Sequence, residues 1–154
     1  MRLLVTAGGT REPIDSARVI ANTSTGRLGA RIAEIAAERG LEVTLLHGLL
    51  AARPSLPALE RMRCFVFDRS AELAALLEAH APGVDAVVHA AAVSDYLPIQ
   101  APGKLPSDQP ELVLRLQRAP KLIDRLRTLN PTAFLVGFKL TSGLAQLQGS
   151  LRLQ

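Results

Sequence analysis

Three short runs hold the residues best suited to handling an anion. Thr6-Ala7-Gly8-Gly9-Thr10 follows the apolar Leu3-Leu4-Val5, and Asn22-Thr23-Ser24-Thr25-Gly26 opens a stretch with helical spacing. Glycines let backbone N–H groups approach a phosphate closely, and hydroxyls at a helix N-terminus add donors where the helix dipole already favours negative charge. Gly8, Gly9, Thr10, Ser24 and Gly26 are therefore candidate binders of a nucleotide's phosphates. The spacing matches neither Gly-x-Gly-x-x-Gly nor Gly-x-x-x-x-Gly-Lys-Ser/Thr. An ordinary βα loop leading into a capped helix accounts for the same residues.

The third run is His89-Ala90-Ala91-Ala92-Val93-Ser94-Asp95-Tyr96. Small residues at a strand end let a planar ligand lie against the backbone, and Asp95 can accept from hydroxyl or amino groups or hold a hydrated cation. A turn cap is the other reading of Asp95. His89 has no second histidine at metal spacing and is read as a hydrogen-bonded residue near the sheet edge, with no catalytic role. Only three lysines occur, Lys104, Lys121 and Lys139, all in the last third of the chain. Lys104 sits in Gly103-Lys104-Leu105-Pro106-Ser107, where a mobile cation can close over a phosphate or simply be solvated. Phe138 can stack on a base or belong to the core.

These runs need a scaffold that brings strand ends together. Leu3–Val5, residues 43–46, 64–67, 86–88 and 134–138 read as strands, and 11–25 as a polar, irregular loop. Leu28, Ile32, Ile35 and Ala36 recur at helical spacing up to Gly40, and Leu73, Leu76 and Leu77 mark a second helix capped by Ser70 and ended by Ala81-Pro82-Gly83. Residues 48–60 are loop or a poorly formed helix, and a further helix is expected at about 121–129. Strands alternating with helices predict an α/β, Rossmann-like, doubly wound parallel sheet. Residues 97–119, punctuated by four prolines and ending in the alternating Glu111–Leu116, predict an inserted extended flap. The domain is expected over 1–140, with 141–154 a tail that is a truncated helix or lacks order.

Composition narrows the chemistry. The 154 residues suit one core, and the single cysteine, Cys64, excludes an internal disulfide and a Cys/His zinc site. No run approaches the roughly 18 apolar residues of a spanning helix, and the N-terminus lacks a signal-peptide pattern, so no membrane partner and a cytoplasmic location are expected. The net charge of +4 is uneven, because residues 98–154 carry eight basic against three acidic groups. One tyrosine, no tryptophan and no arginine run give poor material for nucleic acid, so a small phosphorylated ligand is the better fit.

Seven blocks together resemble the phosphopantothenoylcysteine synthetase (phosphopantothenate–cysteine ligase) domain of the bifunctional coenzyme A biosynthesis flavoproteins. They are Val5–Asp15, Arg18–Asn22, Ser24–Gly29, Ala91–Tyr96, Gly103-Lys104, Ala119-Pro120-Lys121 and Val136-Gly137-Phe138, in the family's order. The resemblance implies that the carboxylate of 4′-phosphopantothenate is activated by CTP or ATP as an acyl-nucleotide and then joined to cysteine. It implies catalytic roles for Asn22 and Lys104, and contacts to phosphopantothenate from Arg18, Asn22, Ala91 and Ala92. It places Asp95, Lys104, Pro120, Lys121, Leu122, Ile123 and Phe138 against the nucleotide. Mg2+ is expected with the nucleotide, although no metal ligand can be named. A homodimer formed through the flap is expected, with Lys104 acting across the subunit boundary.

The sequence departs from the family in three places. The flap carries one lysine instead of a pair, the last strand ends Gly137-Phe138-Lys139-Leu140 where many members have Gly-Phe-Ala-Ala-Glu-Thr, and the chain stops at Gln154 before further lysines expected to bind the triphosphate. With no flavin domain before residue 1, no flavin is expected here, and a separate flavin-dependent decarboxylase is the expected partner. The chain is then a stand-alone ligase domain, a shortened paralogue or a fragment. Two other readings compete: a truncated, non-catalytic nucleotide-binding homologue, favoured by the short C-terminus, and an NAD(P)-dependent reductase-like protein. The absence of Gly-x-Gly-x-x-Gly and of a Tyr-x-x-x-Lys pair counts against the last.

Overall fold

Alternating apolar residues place each central strand between two helical layers. The structure, a computed structural model, describes residues 1–140. Strands β1 (Arg2–Ala7), β4 (Glu42–Gly48), β5 (Met62–Phe67), β6 (Ala86–His89) and β9 (Phe134–Gly137) form one sheet in the order β5-β4-β1-β6-β9, every pairing parallel. Leu4, Leu46 and Val87 point to one face and meet Phe67, Leu73, Leu77, Leu122 and Leu126 beneath helices α3 (Ser70–His80) and α4 (Leu122–Leu129). Leu3, Val5, Val43 and Leu45 point to the other face and meet Ala33, Ala36 and Ala37 of α1 (Arg27–Glu38). This is the two-residue period of a strand buried on both sides. The doubly wound Rossmann-like architecture is as expected.

Helix α1 departs from its expected phase. Leu28 is exposed and Ile32 and Ile35 are half-buried, whereas Gly29, Ala30, Ala33, Ala36 and Ala37 are buried. Small residues face the sheet because helix and strand run almost in contact: a Cβ on Gly29 would stand 2.6 Å from Ala7 Cβ and 2.7 Å from Thr6 O. In α3, Ser70 is the first helical residue, not the cap. Arg69 is the cap, while the Glu72 carboxylate accepts from the N–H of Asp68 (2.8 Å) and Arg69 (3.5 Å) and the buried Glu12 carboxylate accepts from Ser70 N–H (3.0 Å). Two glutamate side chains rather than one serine thus satisfy donors at this helix end.

Two hairpins lie outside the main sheet. The stretch 11–25 is not wholly irregular, since β2 (Arg11–Pro13) pairs antiparallel with β3 (Val19–Ala21). In the flap the regular part is β7 (Tyr96–Pro98) against β8 (Leu116–Arg118), so pairing begins where the alternating run Glu111–Leu116 ends, and 111–115 form no strand. Residues 48–60 contain the short helix α2 (Leu56–Leu59). The expected tail, 141–154, lies outside the described residues. Among those described, no helix is long and apolar enough to cross a membrane.

Candidate functional site

The strand order reverses between β1 and β6. From β1 the chain crosses to β4 and β5 on one side, and then to β6 and β9 on the other. Crossovers that diverge leave a crevice outside the carboxyl ends of these two strands, where ligands bind in open α/β sheets. Gly8–Thr10 and Ala90–Ser94 are the segments that leave those ends.

Backbone and side chains stitch the two segments together. Ala92 N–H donates to Gly8 O (2.8 Å), Thr10 N–H donates to Ala92 O (3.1 Å), and Asn22 Nδ2 donates to the same Ala92 O (2.9 Å). Asn22, Ala92, Gly8, Gly9 and Thr10 are thereby brought into one cluster, with Ala91 beside them. An amide has two N–H donors, and the contact with Ala92 uses one of them.

Two buried hydroxyls lie under the cluster. Thr10 Oγ1 accepts from Ser94 N–H (3.1 Å) and lies 3.0 Å from Ser94 Oγ. Thr6 Oγ1 accepts from Ala91 N–H (3.0 Å) and lies 3.0 Å from His89 Nδ1. Burial holds the His89 imidazole neutral by pushing its pKa down to about 4. The Thr6 hydroxyl thus joins the neutral imidazole to the backbone of Ala91. His89 is therefore a hydrogen-bonded scaffold residue, in line with its sequence reading.

A cavity of about 470 Å³ opens beside this cluster, lined by Gly9, Arg11, Ala21–Thr25, Arg27 and Leu50–Ala52. Its volume falls within the usual range for small-molecule sites, roughly 300–1,000 Å³. The charged residues in its lining are two arginines, Arg11 and Arg27, which suits anionic cargo. The Arg11 guanidinium is held by Asp68, with Nε 2.7 Å from Oδ1. The N-terminus of α1 borders the cavity behind Gly26, whose φ of +72° only glycine adopts readily. A Cβ there would meet Ala51 Cβ at 2.7 Å and Gly8 N at 3.0 Å, and one on Gly9 would meet Asn22 O at 2.7 Å. These glycines pack the three loops against one another, a structural need the sequence reading did not assign to them.

The other expected residues fall into two groups. Asp95 and Lys121 form an exposed ion pair, Ala119 N–H donates to Asp95 O (2.9 Å), and Lys121 is the N-cap of α4. Pro120 and Leu122 border a separate, smaller cleft between α3 and α4, and the Ile123 side chain lies beneath Gly137. Phe138 directly follows the Gly137 that pairs with His89, so it flanks the end of β6; at 52% exposure it is not a core residue. Arg18 and Lys104 meet through the flap backbone. Arg18 Nη2 donates to Leu105 O (2.8 Å), while the Lys104 side chain is exposed and is not among the residues lining the cavity.

Residues 1–153 match the family described as the DNA/pantothenate metabolism flavoprotein C-terminal domain. The chain belongs to this family. The coenzyme A biosynthesis bifunctional protein CoaBC of Thermococcus kodakarensis is 45% identical over 148 residues, or 94% of this chain and 35% of that protein. This member of the family thus spans about a third of that relative's length. The crystal structure of the DNA/pantothenate metabolism flavoprotein from Streptococcus pneumoniae matches with a TM-score of 0.86 at 30% identity, covering 96% of this chain and 73% of that one. The C-terminal domain of a CoaBC protein matches with a TM-score of 0.78 at 31% identity, covering 95% and 68%. The resemblance carried by the seven sequence blocks therefore stands.

For this family member, sequence reasoning passed over Thr6, Asp15, Arg11 and Arg27. Thr6 has no local signal, because its partners are 83 and 85 residues away. Asp15 has one: an aspartate followed by polar or small residues is an Asx-turn pattern, and its Oδ1 accepts from the N–H of Ala17 (2.8 Å) and Arg18 (2.7 Å).

Proposed function

We propose that this chain carries out the nucleotide-dependent ligation of 4′-phosphopantothenate to cysteine in coenzyme A biosynthesis, through an acyl-nucleotide intermediate. A carboxylate oxygen of phosphopantothenate attacks the α-phosphorus of CTP or ATP, the bond from that phosphorus to the bridging oxygen breaks, and pyrophosphate leaves. The cysteine amine then attacks the acyl carbon, a C–N bond forms, the nucleoside monophosphate departs, and the amine gives up a proton. The observation that carries this reading is the convergence of Asn22, the Ala91-Ala92 backbone and the Gly8–Thr10 loop at the reversal point of the sheet, beside a cavity whose charged lining is Arg11 and Arg27. The 45% identity to CoaBC, a bifunctional protein of coenzyme A biosynthesis, supports it.

In this mechanism Asn22 turns its remaining N–H toward the acyl oxygen as that oxygen gains charge, and its anchor on Ala92 O keeps the amide preorganised. Arg18, Ala91 and Ala92 hold the phosphopantothenate. Gly8, Gly9, Thr10, Ser24 and Gly26 form the floor under the nucleotide phosphates, with Asp95, Pro120, Lys121, Leu122, Ile123 and Phe138 along its other side. Lys104 closes from the flap and offsets phosphate charge, as a catalytic lid does. Among the described residues no three His, Cys, Asp or Glu side chains gather into a metal site. Mg2+ is usually held by one or two carboxylates plus substrate phosphates, so in this reading it enters with the nucleotide, carried by its phosphates. Two chains joined through their flaps, working in the cytoplasm and passing their amide product to a separate flavin-dependent decarboxylase, complete the proposal.

The test is pyrophosphate release by the purified chain with CTP or ATP, phosphopantothenate and cysteine, with the amide product identified by mass. Pyrophosphate release that requires phosphopantothenate supports the ligation. Absence of turnover with both nucleotides, alongside a nucleotide-dependent rise in melting temperature, contradicts it and leaves a binding protein.

A further inference from the structure

We propose that Asp15 is a positioning residue for the flap: its buried carboxylate clasps the flap hinge to the β2–β3 turn and sets where Lys104 stands. The Asp15 side chain is fully buried. Its Oδ1 accepts from Ala17 N–H and Arg18 N–H, and its Oδ2 accepts from Leu105 N–H (3.0 Å) and lies 3.5 Å from Arg18 Nε. Arg18 completes the clasp by donating from Nη2 to Leu105 O (2.8 Å), and Ser16 N–H donates to Gly103 O (3.1 Å). Both neighbours of Lys104 are thus tied to residues 15–18, while Lys104 itself is exposed.

Besides these bonds, Ala101 N–H donates to Ile14 O (2.9 Å). Gly103 has φ +75°, and a Cβ built on it would have nothing within 4 Å, so hydrogen bonds rather than packed side chains fix the hinge. A carboxylate is needed because donors from two directions converge on two acceptor oxygens. An asparagine offers only one acceptor oxygen and would set an N–H against either Leu105 or the turn. The backbone donors, led by Ala17 N–H, also hold the Asp15 carboxyl below the usual carboxylate range, so it is ionised whenever the chain is near neutral pH. Asp15 orients Arg18 as well, and so governs both cations that the proposed ligation brings to its substrates from the turn and the flap.

This inference rests on the proposed ligation for its effect on rate, but not for its effect on the flap. The experiment compares the full chain with Asp15→Asn, following tryptic cleavage after Lys104 by the mass of the 1–104 fragment, alongside melting temperature and steady-state kinetics. Cleavage after Lys104 is expected to accelerate by about tenfold as the hinge opens locally. A misplaced lysine is expected to lower kcat by about tenfold. In Asp15→Asn/Lys104→Ala the two losses should not add, since both act through one side chain. Gly103→Ala, strained at its positive φ without entering the core, should raise cleavage in the same way, and it decides the matter if Asp15→Asn does not fold. Unchanged cleavage in a folded variant, or additive losses in the double variant, overturns the clasp. Failure of the wild-type chain to turn over any substrate would sink the ligation alone, because cleavage at Lys104 reads the clasp without it.

Discussion

Asn22 has the most demanding task in this account, since one exposed amide anchored on Ala92 O faces the oxygen that gains charge. Asn22→Ala is expected to lower kcat by about 100- to 1,000-fold, the usual effect of removing such a donor. The same change should leave the urea midpoint nearly unmoved, because the side chain is not part of the core. His89 makes the opposite prediction. Its folded pKa, about 4, lies below the unfolded value of about 6.5. The unfolded chain therefore binds the extra proton first, and stability is lost as pH falls from about 6.5 through about 4, by about 3 kcal/mol in all. His89→Asn, which keeps an acceptor near Thr6, should flatten that part of a stability-against-pH curve measured by urea unfolding; an unchanged slope would mean that another group is responsible. The Asp95–Lys121 pair is half exposed at both ends, with side chains 61% and 48% accessible, and such pairs contribute about 0–1 kcal/mol. Asp95→Ala should thus weaken nucleotide binding by calorimetry without lowering the melting temperature. Asp95 was legible in the sequence because it follows an apolar strand, Lys104 because lysines are few and it sits in a proline-rich flap, and Asn22 through the family resemblance. Thr6 and Ser94 were not, because a hydroxyl whose partner lies more than 80 residues away looks like any other.

Helix α1 shows how an element can be recognised and still be turned the wrong way. Its helical period and its end at Gly40 are plain in the sequence, but the bulky residues that suggest a buried stripe lie to one side of the true one. The close approach of Gly29 to Ala7 requires the smallest side chains on the buried face, so size rather than hydrophobicity marks it. Gly29→Ala should therefore destabilise the chain by about 1–3 kcal/mol through overpacking, read as a shift in urea midpoint with an unchanged slope. Leu28→Ala, on the exposed flank, should cost far less. The inner strands β1, β4 and β6 were legible because burial on both faces leaves continuous apolar runs, and the partly exposed edge strands β5 and β9 because they too are short apolar runs. The pairs β2–β3 and β7–β8 were not, because three-residue strands with exposed positions carry no period to read.

At the scale of the whole molecule, strand order determines the site. The reversal at β1 and β6 gathers loops that are distant in sequence, and the cavity beside them has arginines as its charged residues. Lys104 and Lys121 lie outside that lining, on the flap and at the start of α4, where Lys121 is paired with Asp95. The sequence carries this arrangement because each informative run ends a strand, and parallel topology brings such ends to one edge. It does not carry the route by which the flap folds back, which depends on hydrogen bonds from the hinge to Asp15 and Arg18. The central claim is that nucleotide and phosphopantothenate share the crevice above β1 and β6. A crystal structure of the chain soaked with CTP and phosphopantothenate tests it most directly. The account predicts phosphate density against Gly9, Ser24 and Gly26, with the pantothenate carboxylate within hydrogen-bonding reach of Asn22 Nδ2. Ordered ligand whose phosphates lie away from Gly9, Ser24 and Gly26, with the crevice above β1 and β6 holding only water, would contradict it.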